Sequence, residues 1–390
     1  MKSEKSKRKN AKFKKTLGVI ISLAIGIVLG GLSIWTLGFD FIDKTDGIGE
    51  FMLSYMGTML MFFGVFYIDI ILHEAGHCVM GLMSGYRFGF FRIENWVLIK
   101  YEDGMKFKKF TLPGTGGQCL MIPPAYNDGD FPYKRYYAGG VLVNAITTVS
   151  MVIAGILLGI DNYWGKFWIV SAVITGYLVV VNTIPKESND GALLLQVGKD
   201  KEQRKAIWDT LQYAALQQQG VRAEELPHIW EPMTDEELLA GMDKAGTMSK
   251  LSARLGYLMD SGDYETAYLL LGKSLDNKKM MSILKQQFKI EKLFLEMILH
   301  NRKEEIDTLY DDELKAYIKQ TGKTMIGTSR LMYAYYLLVE KNEEKARKEK
   351  AKFEKLCENY PFAGDIAAER RLMNLAEEKT LEMKTGVVTV

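Results

Sequence analysis

Charge is distributed along this chain as though two proteins had been joined near Pro185. The first 15 residues hold 9 charged side chains, residues 16–185 hold 22 in 170, and residues 186–390 hold 67 in 205. About 13% charge across the middle stretch is half the ordinary share for a soluble domain, and about a third in the last stretch is above it. The middle stretch therefore reads as membrane protein and the last as soluble helix. The reading gives a basic tail over 1–15, a membrane domain over 16–192 and a cytoplasmic domain over 193–390. Net charge is only +2, so no field of one sign points to nucleic acid. Three cysteines without paired spacing exclude a disulfide scaffold and a zinc finger.

Four apolar runs are long enough to cross a bilayer, over about 17–39, 51–83, 137–160 and 167–185. The uncharged run Leu17–Phe39 spans roughly 34 Å as a helix. The run is longer than a signal peptide's apolar core, and GGLSIWTLGF at its end is a poor cleavage site, so it reads as a retained anchor rather than a signal peptide. Orientation follows from Lys and Arg. The N-terminal tail carries eight basic residues and one acidic, and the loop at 84–135 carries eight basic and five acidic, so both belong inside. The loop at 40–50 is acidic and belongs outside. Both termini are then cytoplasmic. Trp35, Tyr163, Trp164 and Trp168 fall at the outer interface, as an aromatic belt does.

The second apolar run ends in His73-Glu74-Ala75-Gly76-His77. Residues i and i+4 of a helix project from one side, so both imidazoles can reach one zinc ion, with Glu74 beside them as general base. Two histidines and two acids, Asp69 and Glu74, on one membrane helix are costly unless they face a cavity or a metal. The metzincin continuation fails, because Met80 and Met83 stand where Gly and His are required. Glu94 lies in strand-like sequence, and His228 and His300 lie in the charged half. The best candidate for a third ligand is Asp190. It follows Asn182 and Pro185 at the end of the fourth run and precedes Gly191, which places it on irregular backbone at the cytoplasmic face. Asp69, one turn before His73, reads as a residue fixing an imidazole or lining the cavity, with ligation as the rival role.

HEAGH in one span and N-x-x-P-x-x-x-x-D-G at the end of a later one resemble the site-2 protease family. These are zinc metalloproteases that cut peptide bonds within or beside the membrane. The resemblance covers about residues 51–195. It includes a Gly-x-x-x-Asn, Gly140 to Asn144, where family members usually have Gly-Pro-x-x-Asn; this chain has Val141 in place of the proline. The resemblance implies one zinc ion per chain held by His73, His77 and Asp190. It implies Glu74 as base and later proton donor, Asn144 positioning the substrate carbonyl, and Asn182 and Pro185 shaping the loop that presents Asp190. Residues 84–125, with the turn Glu102-Asp103-Gly104, resemble the family's cytoplasmic β-rich insert. The implied substrate is a single-span membrane protein or membrane peptide, cut in regulated signalling or peptide processing at a bacterial plasma membrane.

In the charged half, turn-like sequences at 262, 301 and 341, and an earlier one at Gly220, suggest a degenerate array of tetratricopeptide-type helical hairpins. Such arrays present protein-binding surfaces. The expected fold is thus a four-span α-helical membrane domain with a small β insert, followed by an all-α domain. Lys345–Lys355 reads as a solvated helix face. The rival reading is a zinc-stabilised membrane scaffold that recruits partners through its repeats. Glu74, which is not a ligand, has no purpose in such a scaffold.

Overall fold

The structure is a computed structural model. It describes residues 47–385 apart from 113–114, 128, 187–188, 227–228, 230 and 281. The basic tail, the expected first span over 17–39 and His228 lie outside the described residues. The chain is mostly helical with one small antiparallel sheet. Three described helices are long and apolar enough to cross a membrane: α1 (Ile48–Leu82), α2 (Tyr133–Leu158) and α3 (Tyr163–Thr183). Their limits differ by a few residues from the runs over 51–83, 137–160 and 167–185. Nothing in Ile48–Leu82 interrupts the helix, since the stretch contains no proline. It ends where Gly85 takes φ +83° and Tyr86 donates back to the Gly81 carbonyl at 3.0 Å.

The chain divides into two compact units. One contains the described residues through His73 together with Val141–Asn182. Its interior is small, with Phe62 stacked on Phe167 at 5.0 Å and Val170 beside them. Leu53, Leu60 and Phe63 on α1 and Ile153 and Leu157 on α2 face outward. So much exposed apolar surface suits hydrocarbon rather than water.

The other unit contains Glu74–Gly140 and Thr183–Val390. Its sheet comprises β1 (Arg87–Ile93), β2 (Trp96–Tyr101), β3 (Gly104–Lys109) and β4 (Gly117–Ile122), in the order β3-β2-β1-β4. Two-residue turns set its register: Ile93 faces Trp96 across Glu94-Asn95, and Tyr101 faces Gly104 across Glu102-Asp103. Val97 and Ile99 are fully buried on one face, each worth about 1.5–3 kcal/mol of apolar burial. The sheet is tied to the later helices by polar contacts. Tyr101 donates to the Pro361 carbonyl at 3.0 Å, Gln218 to the Lys100 carbonyl at 2.7 Å, and Trp208 to the Pro124 carbonyl at 2.8 Å.

The remaining helices are α4 (Asp190–Lys199), α5 (Lys201–Gln218), α6 (Asp235–Ala240), α7 (Ala245–Ser261), α8 (Tyr264–Asp276), α9 (Ser282–Leu299), α10 (Lys303–Leu309), α11 (Asp312–Thr321), α12 (Ile326–Leu338), α13 (Glu343–Cys357) and α14 (Ala363–Thr385). Gly220, Gly262, Asn301 and Lys341 each follow a helix in the left-handed region, at φ +100°, +89°, +50° and +52°. Each helix break expected from sequence is therefore present. Asp263 and Asn342, next to the breaks at 262 and 341, cap α8 and α13, and Asp311 caps α11.

Candidate metal centre

His73, Glu74 and His77 lie on α1, which runs unbroken from one compact unit into the other between His73 and Glu74. His73 therefore stands one helical turn before His77, with both rings buried. Asp190 brings Oδ2 to 3.3 Å from His77 Nε2. Ligand atoms of His73, His77 and Asp190 all lie within 4.8 Å of one another, the one such group of three among the described residues.

The partners of the two rings decide which nitrogens can coordinate. His77 Nδ1 is 2.7 Å from the Tyr136 carbonyl oxygen, which can only accept. Nδ1 therefore carries a proton, which leaves Nε2, the nitrogen beside Asp190, as the one a metal would take. His73 Nδ1 is 3.3 Å from the Asn144 amide. Asn144 is buried, and its Oδ1 has no hydrogen-bond partner when Nδ2 faces the ring. The amide is isosteric under exchange of oxygen and nitrogen. With the oxygen facing His73, it accepts from Nδ1–H, satisfies the orphaned acceptor and leaves the Nε2 lone pair for a metal.

Asp190 opens α4 rather than lying on irregular backbone. The reason is the preceding residue. Asn189 Oδ1 accepts from Ala192 N and Lys186 N, both at 3.0 Å, while its Nδ2 donates to the Ile184 carbonyl at 2.8 Å. This is an N-cap that also clamps the connecting segment. Pro185 is exposed in that segment, Asn182 is on the last turn of α3, and Gly191 is the second residue of α4.

Glu74 is backed by the sheet. A Cβ on Gly117 would fall 2.6 Å from Glu74 Cγ and 2.7 Å from its Oε1, so β4 reaches the carboxylate only because residue 117 is glycine. Arg92 fixes this approach. Its fully buried guanidinium donates to the Glu94 carbonyl at 2.7 Å, to Thr115 Oγ1 and to the Gly117 carbonyl at 3.3 Å. Burial pulls the Arg92 pKa down, opposed by the Glu74 and Glu94 carboxylates. Tyr136 joins the same assembly, its hydroxyl donating to the Cys119 carbonyl of β4 at 2.7 Å. The Cys119 thiol is pushed up by its hydrogen bond to Cys78 and by burial.

Asp69 is fully buried and accepts from Thr175 Oγ1 at 2.5 Å, while its Oδ1 has no hydrogen-bond partner among the described residues. Gly140 lies inside α2, which begins seven residues earlier at Tyr133, so it does not open the helix. Its neighbour Gly139 makes the close approach: a Cβ there would lie 2.8 Å from the Gly76 carbonyl carbon. Gly139, Tyr136, Arg92, Gly117 and Asn189 belong to the site without being part of any motif in the sequence. Only Asn189 carried a local signal, an Asn immediately before an acidic first turn and an apolar helix. Glu94 sits in the β1–β2 turn, and His300 lies at the break after α9, its ring against Tyr268. Comparison with protein-family models, with characterised proteins and with solved structures finds no match to this chain.

Proposed function

We propose that this chain is an intramembrane zinc metalloendopeptidase of the site-2 protease type. The observation that carries the reading is the convergence of His73, His77 and Asp190, with Glu74 between the two histidines. Two neutral imidazoles and a carboxylate are a donor set that suits zinc, and the proton positions argued for His73 and His77 leave one nitrogen of each for it. Bound there, zinc would supply Lewis acidity to polarise a scissile carbonyl and acidify a water molecule.

The chain's own residues do the rest. Glu74 takes the water's proton and passes it to the leaving amine. Tyr136 and Asn144 hold the imidazoles, Asn189 holds Asp190, and Gly117 with Arg92 limits where Glu74 can swing. Asn144 is thereby a positioning residue for His73; a contact to the substrate carbonyl would be additional. Asp69, bound to Thr175, lines the polar interior beneath His73.

The substrate is a membrane-spanning helix or membrane peptide, unwound at the cut so that its backbone is open to attack. Strand addition to a sheet edge would hold it extended. β4 is the edge that reaches Glu74, through Gly117. The N-terminal apolar run supplies a fourth span, both termini face the cytoplasm of a bacterial cell, and the C-terminal helices form a tetratricopeptide-like surface for a partner. In the test, membranes expressing wild type or Glu74→Gln are compared by quantitative peptide mapping. Single-span proteins shortened within their apolar segment only with wild type support the reading. Identical maps, with both proteins loaded with zinc, contradict it.

A further inference from the structure

The helical part of the chain contains a cavity of about 230 Å³ that none of the proposed protease chemistry uses. Tyr213, Tyr317 and Tyr360 line it together with Glu291, Asp365 and Glu369. It belongs wholly to one compact unit. Gly327 on α12 lies at its wall, and a Cβ there would fall 3.2 Å from Glu369 Oε1 and 3.7 Å from Glu291 Oε1. Arg330 Nη2 lies 3.6 Å from the same point, so the two oxygens and the guanidinium that joins them border the space left by the missing side chain.

The charges around this space do not balance. Arg330, fully buried, is the one cation shared by two carboxylates: Nε donates to Glu369 Oε2 and Nη2 to Glu291 Oε2, each at 2.6 Å. Asp260 has cations of its own, Arg222 at 2.6 Å and Arg371 at 3.8 Å. Asp365 accepts from Gln217 at 2.6 Å and from the Tyr360 hydroxyl, both neutral, and no ion pair is found for it among the described residues. One negative charge is left over on the Glu291–Arg330–Glu369 triad and a second on Asp365. Carboxylates held half-buried without a compensating charge are costly. Aromatic walls beside them add the faces that attract an organic cation.

We infer that this cavity binds an ammonium or guanidinium group, seated between Asp365, Glu369 and the tyrosine rings. Free amines and the basic side chain of a peptide share that chemistry. Without a cation the carboxylates relieve the imbalance by taking up protons. Burial, with neighbouring carboxylates, pushes Asp365 up to about 7, and burial pushes Glu369 up to about 7 against the pull of Arg330. Cation binding at pH 6.5 must then release protons. The inference does not rest on the protease reading.

Titration calorimetry on the full chain in detergent tests it at pH 6.5, in two buffers of different ionisation heat. The probes are arginine amide, its neutral isostere citrulline amide, and a short peptide with one arginine. The expected result is saturable binding of arginine amide with proton release, and binding at least about tenfold weaker to citrulline amide and to Asp365→Asn. A peptide that binds about tenfold tighter than arginine amide identifies a peptide as the natural source, and equal affinity identifies a free amine. If Asp365→Asn unfolds, proton release by wild type still decides. No saturable heat up to about 10 mM arginine amide, equal binding of citrulline amide, or binding without proton release overturns the inference.

Discussion

Gly139 lies so close to the backbone of Gly76 that a Cβ on Gly139 would stand 2.8 Å from the Gly76 carbonyl carbon and 3.0 Å from the His77 nitrogen. Two glycines thus let α2 press on the turn of α1 that carries the histidines, a mode of packing that small residues permit between membrane helices. The Tyr136 carbonyl, one turn earlier on α2, comes within reach of His77 through the same approach. Gly139→Ala should force the helices apart, costing about 1–3 kcal/mol. The measurement is the Tm of detergent-purified protein; an unchanged Tm would show that the two backbones do not meet.

Asn144 gives a sharper test of ring orientation. Asn144→Asp keeps an oxygen that accepts from His73 Nδ1–H, whereas Asn144→Leu removes it. Zinc affinity, read by competition with a chromogenic chelator, should fall about 10–100-fold in Asn144→Leu and much less in Asn144→Asp. Equal losses in the two variants would mean that the amide does not set the tautomer.

Arg92 and Gly117 act on Glu74 without touching a ligand. Arg92→Met frees the 115–117 turn, and Gly117→Ala places a methyl group 2.6 Å from Glu74 Cγ. Both should keep zinc near one per chain and lower kcat by about a hundredfold, the scale of a small misplacement of a reacting group. Loss of zinc together with activity would assign both residues to folding instead.

Half-buried acids of the helical region make stability depend on pH. Asp365, pushed up to about 7 by burial and by neighbouring carboxylates, holds a proton in the folded chain over a range where the unfolded chain has released it. That contribution to stability is complete below the ordinary aspartate range and is lost as pH rises through about 7. Glu369 adds a change of the same sign. The Tm should therefore fall between pH 5 and pH 8, and Asp365→Asn should flatten the fall. An equal slope in the variant would place the titrating group elsewhere.

Much of this was legible in the sequence, and the reasons differ by element. α1, α2 and α3 announce themselves because hydrocarbon tolerates few charges over 20 residues. His73, Glu74 and His77 are legible because helix geometry ties spacing four to one face. The breaks at Gly220, Gly262, Asn301 and Lys341 follow from local turn chemistry. Asp190 was legible as a residue but not in its setting, because its place at the start of α4 depends on the Asn189 cap. Gly139, Tyr136 and Arg92 were not legible, since they act through backbone atoms or across long separations and leave no local period. For the same reason the sequence motif marks Gly140, whereas the contact is made by Gly139.

The central claim is a metal site completed by Asp190 and served by Glu74. Zinc per chain, measured by elemental analysis on detergent-purified wild type, Asp190→Ala and Glu74→Ala, tests it most directly. The account predicts about one zinc in wild type and in Glu74→Ala, and close to none in Asp190→Ala. Zinc absent from wild type, or retained in full by Asp190→Ala, would contradict it and shift the choice of third ligand to Asp69 or the reading to a scaffold.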